Sequence, residues 1–190
     1  ELIDVIAREG KIVKYLDIPI QHINDGILKK MNRRDTGAQI RSLLTKLRER
    51  IPGLVLRTSL IAGLPGEGET EFEELCEFLR EFKIERAGVF PFSPEDGTPA
   101  AKMPHVDGET ARERAGQIQL LQAAIMDEWE SSLAGRTVQA ICDYYDPDTG
   151  TPMGRAYFDS PGIDGQMEFS GEVSPGDIVD VEIISAEDGV

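Results

Sequence analysis

The chain has 190 residues, 40% hydrophobic and 29% charged, which suits one large domain or two small ones and is enough to bury a core. No stretch approaches the roughly 20 apolar residues of a membrane helix. A formal net charge of −15 argues against a general nucleic-acid binder, because phosphate contacts need Lys and Arg.

Leu2 to Ala7 reads as a helix end closed by Gly10, and Ile12 to Ile18 as a strand stopped by Pro19. A short helix follows Asn24-Asp25-Gly26. Thr36 is placed to cap the next helix, whose apolar positions Ile40, Leu43, Leu44, Leu47 and Ile51 keep helical spacing until Pro52-Gly53. Leu54 to Leu64 reads as a strand ending at Pro65-Gly66. Thr70 and Glu73 have capping-box spacing ahead of a helical face of Phe72, Leu75, Cys76, Leu79 and Phe82, and Ile84 to Phe92 is a third strand. Alternating strands and helices predict an α/β fold with a parallel sheet. Three such strands leave an edge unpaired, which a neighbouring molecule could cover.

Ser93 to Asp107 holds Pro94, Pro99 and Pro104 and reads as a loop. A long helix from about Glu109 to Leu133 carries the stripe Ile118, Leu121, Ile125, Trp129 and Leu133, closed by Gly135. The texture then changes. Short segments at 137–144, 154–158, 166–169 and 178–184, separated by Pro, Gly and Asp turns, predict a small all-β barrel. The domains are expected at 1–134 and 135–190. After Ser131 only Arg136 and Arg155 are basic, against eight Asp and four Glu. Such an acidic module suits a basic partner.

The start Glu1-Leu2-Ile3-Asp4 has no Met and no signal-peptide pattern, and the chain is expected to be a cytoplasmic fragment. Cys76 and Cys142 read as buried free thiols, and two lone cysteines cannot hold a zinc or iron–sulfur site. Thr58 to Glu67 reads as a strand with a glycine turn, either an ordinary strand-to-helix turn or a place where Gly63 and Gly66 let a ligand approach the backbone. Gln21 and His22 end another strand, and Ser93, Glu95, Asp96 and Thr98 follow the third. Three polar strand ends on one rim suggest a small-molecule site there. Arg57, a cation inside an apolar strand, is expected to face either an anionic ligand or a structural carboxylate.

The runs Tyr15-Leu-Asp-Ile-Pro-Ile-Gln-His22, Met31-Asn-Arg33, Leu56-Arg-Thr-Ser-Leu-Ile-Ala-Gly-Leu-Pro-Gly-Glu67, Phe90-Pro-Phe-Ser-Pro-Glu-Asp-Gly-Thr98 and Leu120-Leu-Gln-Ala-Ala-Ile125 resemble, in order, segments of the radical S-adenosylmethionine (SAM) methylthiotransferases. That resemblance implies the fourth to sixth strands of a partial (β/α) barrel, followed by a small OB-like TRAM barrel. It also implies two 4Fe-4S clusters, one cleaving SAM to generate the 5′-deoxyadenosyl radical. Their cysteines are not in this chain, so the fragment alone is expected to be inactive. By analogy SAM lies near Gln21, Arg57, Ile61, Gly63 and Phe92. Gln21-His22, Arg57, Gly154-Arg155, Asp159 to Gly165 and Pro175 to Ile178 resemble the branch that modifies an aspartate of a small-subunit ribosomal protein. The alternatives are the tRNA-adenosine branch and a non-catalytic binding module. Asp143, Asp146, Asp148, Asp159 and Asp164 are the expected docking residues for the basic ribosomal protein.

Overall fold

A computed structural model describes residues 1–186; the last four residues assigned to the barrel, 187–190, lie outside the described residues. The first part contains α1 (Leu2–Arg8), β1 (Tyr15–Asp17), α2 (Asp25–Lys30), α3 (Gly37–Arg50), β2 (Val55–Ala62), α4 (Glu69–Phe82), β3 (Arg86–Pro91) and α5 (Gly108–Ser131). The strands are parallel in the order β1-β2-β3. Antiparallel β4 (Thr137–Tyr145), β5 (Pro152–Ala156), β6 (Met167–Glu168) and β7 (Ile178–Glu182) then form a sheet ordered β6-β5-β4-β7. No helix among the described residues is long and apolar enough to cross a membrane.

Local chemistry sets the helix ends. Thr36 caps α3 as its sequence suggests: its hydroxyl accepts from Gln39 N–H at 3.2 Å and Gln39 Oε1 accepts from Thr36 N–H at 2.8 Å. The start of α4 differs from the expected Thr70–Glu73 box. Gly68 is the N-cap, and Glu71 Oε2 accepts its N–H at 2.9 Å. The acidic run 67–74 permits several registers, and the Pro65-Gly66 turn selects an earlier one.

Burial alternates along β2. Leu56, Leu60 and Ala62 enter the core with Leu44, Leu47, Ile51, Leu75, Phe78, Leu79 and Ile118, while Arg57, Ser59 and Ile61 are half-buried on the opposite face. Helices therefore cover one face of the sheet. Part of the free edge of β3 and of the residues leading into it is met from within the chain. Gln119 Nε2 donates to Val89 O at 3.2 Å, Gln122 Nε2 donates to Ile84 O at 2.9 Å, and Pro91 has no N–H to offer.

The two sheets share apolar contacts. Val55 and Leu133 pack with Ala156, Phe158 and Ile183, supported by Tyr15, Trp129 and Tyr157. Trp129 meets Phe158 edge to face at 5.5 Å, and Tyr157 OH donates to Gly53 O at 2.9 Å.

Candidate functional site

The carboxyl ends of the strands form one rim. Beyond β1 the chain keeps pairing for one residue: Gln21 bridges Leu60, donating to Ser59 O at 2.8 Å and accepting from Ile61 N–H at 2.9 Å. Gln21 holds a left-handed φ of 70° there, a conformation costly for a residue with a Cβ. The bridge fixes Gln21 beside Ile61. Phe92 N–H donates to Ala62 O at 2.7 Å, placing Phe92 next along the rim. His105, which has no evident partner in the sequence, stacks edge-on against Phe92 at 5.3 Å. Gln21, Ile61 and Phe92 thus lie along one rim, each half-buried, with one amide and two apolar side chains. Thr98 is used locally, its hydroxyl donating to Glu95 O at 2.8 Å.

Two other expected site residues lie differently. Gly63 is on the rim with φ 84°, but it is packed against α5: a Cβ there would come within 2.6 Å of the Ala111 Cβ. The side where a Cβ would stand is filled by a helix. Arg57 lies four residues before Ile61, about 13 Å along the strand. Its guanidinium donates to Asp17 Oδ2 at 2.6 Å and stands 3.7 Å from Asp164. Of the two partners open to it, Arg57 has taken the carboxylate.

A buried polar group supports the rim from behind. His22 is fully buried, and its Nδ1 accepts from Asn24 N–H at 3.0 Å, so the proton lies on Nε2, 3.4 Å from Glu67 Oε2. That contact is too long and poorly aligned to count as a good hydrogen bond. Arg114 of α5 donates to Glu67 Oε1 at 2.9 Å and to Glu67 O at 3.1 Å. Burial alone would raise the Glu67 carboxyl, but His22, the Gly63 backbone and Arg114 together hold it below the usual range. His22 is therefore part of the scaffold. Sequence reading missed Glu67 and Arg114; the signal was a Glu closing the glycine turn and an Arg on the inward face of a helix.

At the opposite end of the strands the sheet carries one row of charges: Asp17 is in register with Arg57, and Arg57 with Arg86. The loop after β5 answers both cations. Asp159 accepts from Arg86 at 3.0 Å, and Asp164 lies beside Arg57 and accepts from Tyr15 OH at 2.6 Å. Arg86 also donates to Glu130 of α5 at 2.9 Å and sits 5.0 Å over the Trp129 ring. A cavity of about 490 Å3 adjoins this row, but its two arginines are already neutralised.

This corrects two expected docking residues. Asp159 and Asp164 face inward and join the barrel to the α/β part, whereas Asp143, Asp146 and Asp148 lie on the outer β4–β5 hairpin. Asp143 is 3.2 Å from Arg155, and Asp146 caps the turn by accepting from the N–H groups of Asp148 and Thr149 at 3.0 and 2.8 Å. Those bonds hold the Asp146 carboxyl low.

Burial pushes the Asp159 carboxyl up to about 6, against the pull of the Ala156 N–H and Arg86. The unfolded chain loses this proton near the ordinary Asp value of about 3.9. Stability from this group is therefore present below pH 4 and declines as pH rises to about 6. Asp159→Asn should flatten the fall in urea midpoint between pH 4 and pH 6.5; an unchanged profile would assign the decline to another group.

Two domain families match this architecture: the radical SAM superfamily over residues 1–79 and the TRAM domain over 134–189. The two matches, in this order, make the chain similar to proteins that join a radical SAM domain to a C-terminal TRAM domain. Its similarity extends through nearly its whole length to the ribosomal protein uS12 methylthiotransferases RimO of Anaeromyxobacter sp. (45% identity), Geotalea uraniireducens (43%) and Geobacter sulfurreducens (45%). Each alignment covers 98% of this chain and 40 to 42% of the relative, so the chain spans about two fifths of those proteins. Among solved structures, coproporphyrinogen III oxidase (HemN) from Escherichia coli, a radical SAM enzyme, superposes with a TM-score of 0.54. It is 20% identical and covers 65% of this chain and 29% of its own, which speaks to the fold alone.

The residues present fit the two implied cofactors unequally. Gln21, Ile61 and Phe92 stand half-buried at the strand ends, an amide and two apolar side chains of the kind a SAM molecule would need. Cys76 is buried in α4 and Cys142 in β4, and no group of three metal-ligating side chains occurs among the described residues. This segment does not fit a 4Fe-4S cluster.

Proposed function

We propose that the full-length protein transfers a methylthio group to the β-carbon of an aspartate in a small-subunit ribosomal protein, in the cytoplasm. This chain supplies part of the SAM cradle and the substrate-docking barrel. The observation that carries the reading is the alignment of the whole chain, rim and barrel together, with uS12 methylthiotransferases. SAM, when bound, supplies the radical chemistry and the methyl group. The chain's own residues bind and orient it: the Gln21 amide by hydrogen bonding, Ile61 and Phe92 by excluding water. Asp143, Asp146 and Asp148 present negative charge to the basic substrate from the outer hairpin.

Electrostatic docking speeds association and weakens as salt screens it, over about 8 Å at physiological ionic strength. Asp143→Asn, Asp146→Asn and Asp148→Asn together should slow association of the full-length protein with uS12 by about tenfold at low salt, and the difference should shrink at high salt. The circular dichroism spectrum should not change. Mass spectrometry of uS12 incubated with the reconstituted full-length protein should show a methylthiolated aspartate. Equal association rates for parent and variant at low salt would remove the docking role. Modification of tRNA in place of uS12 would overturn the function.

A further inference from the structure

The surface of this acidic protein carries one dense cationic segment outside the site described above. Lys29, Lys30, Arg33 and Arg34 stand within six residues, flanked by Asp25 and Asp35. They are not spent as many of the other cations are. Arg41, Arg48, Arg50, Arg80 and Lys83 each pair with a carboxylate. Among the described residues, none of these four forms such a pair, and Asp25 is occupied by the Gly37 N–H at 2.7 Å.

The segment is ordered. Asn32 adopts φ 58°, and the Arg33 N–H donates back to Leu28 O at 2.9 Å, a 6→1 bond that closes α2. Lys29 and Lys30 in the last turn of α2 complement its dipole, a sufficient local reason for those two. That reason does not reach Arg33 and Arg34, which lie beyond the helix. The segment also stands at the rim. α2 follows directly from Gln21-His22, and the Lys30 ammonium lies over Gly66 in the β2–α4 turn.

We infer that Lys29, Lys30, Arg33 and Arg34 contact the phosphate backbone of the ribosomal RNA that surrounds the substrate protein. The argument is one of sign. A basic ribosomal protein is attracted to the acidic hairpin of the barrel and repelled by four unpaired cations at the rim. The polyanion that accompanies it has the opposite preferences. The protein thereby reads its substrate as a ribonucleoprotein, with carboxylates toward the protein and cations toward the RNA. The choice of RNA rests on the ribosomal-protein reading above, but the RNA measurement below does not.

The test uses the full-length protein and a fluorescent short RNA duplex, with binding followed by anisotropy across a salt series. Lys29→Gln, Lys30→Gln, Arg33→Gln and Arg34→Gln together should weaken binding at least about tenfold near 50 mM salt, and should lower the log–log salt slope by about 3. A charge-preserving set, with the two lysines changed to Arg and the two arginines to Lys, should bind like the parent, which separates lost contacts from a disturbed fold. A control set at exposed, unpaired cations elsewhere, Lys46→Gln, Lys102→Gln and Arg112→Gln, should change binding little. Small ribosomal subunits should displace the duplex better than tRNA, and polyglutamate should displace it poorly. No binding by the parent at low salt overturns the inference, as does an equal loss in the control set, better displacement by tRNA, or displacement by polyglutamate equal to that by RNA. Parent protein that binds the duplex but not isolated uS12 would count against the proposed function and leave the RNA contact standing.

Discussion

Arg86→Met should destabilise the chain by about 3–5 kcal/mol, the usual cost of removing one partner from a buried charge group. The Glu130 and Asp159 side chains are only 5% and 3% exposed. Without Arg86 both carboxyl groups would lose their shared cation in a place with little access to water. Asp159 would keep the Ala156 N–H at 3.1 Å, and Glu130 would keep no charged partner in this group. Urea denaturation followed by fluorescence would measure the loss, because the only Trp, Trp129, sits on the Arg86 guanidinium and against Phe158. The triple variant Arg86→Met, Glu130→Gln, Asp159→Asn should recover most of the loss, since no net charge then remains buried there. A loss below about 1 kcal/mol for Arg86→Met would place it with ordinary surface pairs.

Gly63→Ala should cost nearly as much, about 2–5 kcal/mol, through two separable effects. A φ of 84° strains any residue with a Cβ, by about 1–2 kcal/mol. The added methyl would also stand 2.6 Å from the Ala111 Cβ and 3.1 Å from its Cα, an overpacking penalty of about 1–3 kcal/mol. Ala111→Gly removes one of the two colliding groups. In that background Gly63→Ala should cost only the backbone part and some residual crowding, so a double-mutant cycle isolates the packing. If Ala111→Gly gives no relief, α5 does not hold the rim turn.

The α/β order, the cap of α3 and the short antiparallel strands of the last part are legible in the sequence because each rests on local pattern: helical spacing, Thr36 before a helix, Gly and Asp at turns. The strands are shorter than their apolar runs, with β1 reduced to Tyr15–Asp17, because a run of apolar residues does not reveal where pairing stops. Of the candidate site, the placement on one rim was legible: Gln21, Ile61 and Phe92 line it because strand ends in a parallel sheet share one side. What pattern did not reveal is polar burial. Arg114, Gln122 and Glu130 recur every eight residues on the inward side of α5, where an apolar stripe is the ordinary expectation. Their partners are Glu67, the backbone of residues 84–85, and Arg86. Long-range pairing of this kind is invisible to a local reading, and so was the inward turn of Asp159 and Asp164.

α5 has 24 residues, which gives a rod about 36 Å long. Its first turns touch the Gly63 turn and Glu67, and its last turns hold Arg86 and the barrel. One continuous helix thus spans the molecule from the strand-end rim to the second sheet, and its middle is pinned to the parallel sheet by Gln119 and Gln122.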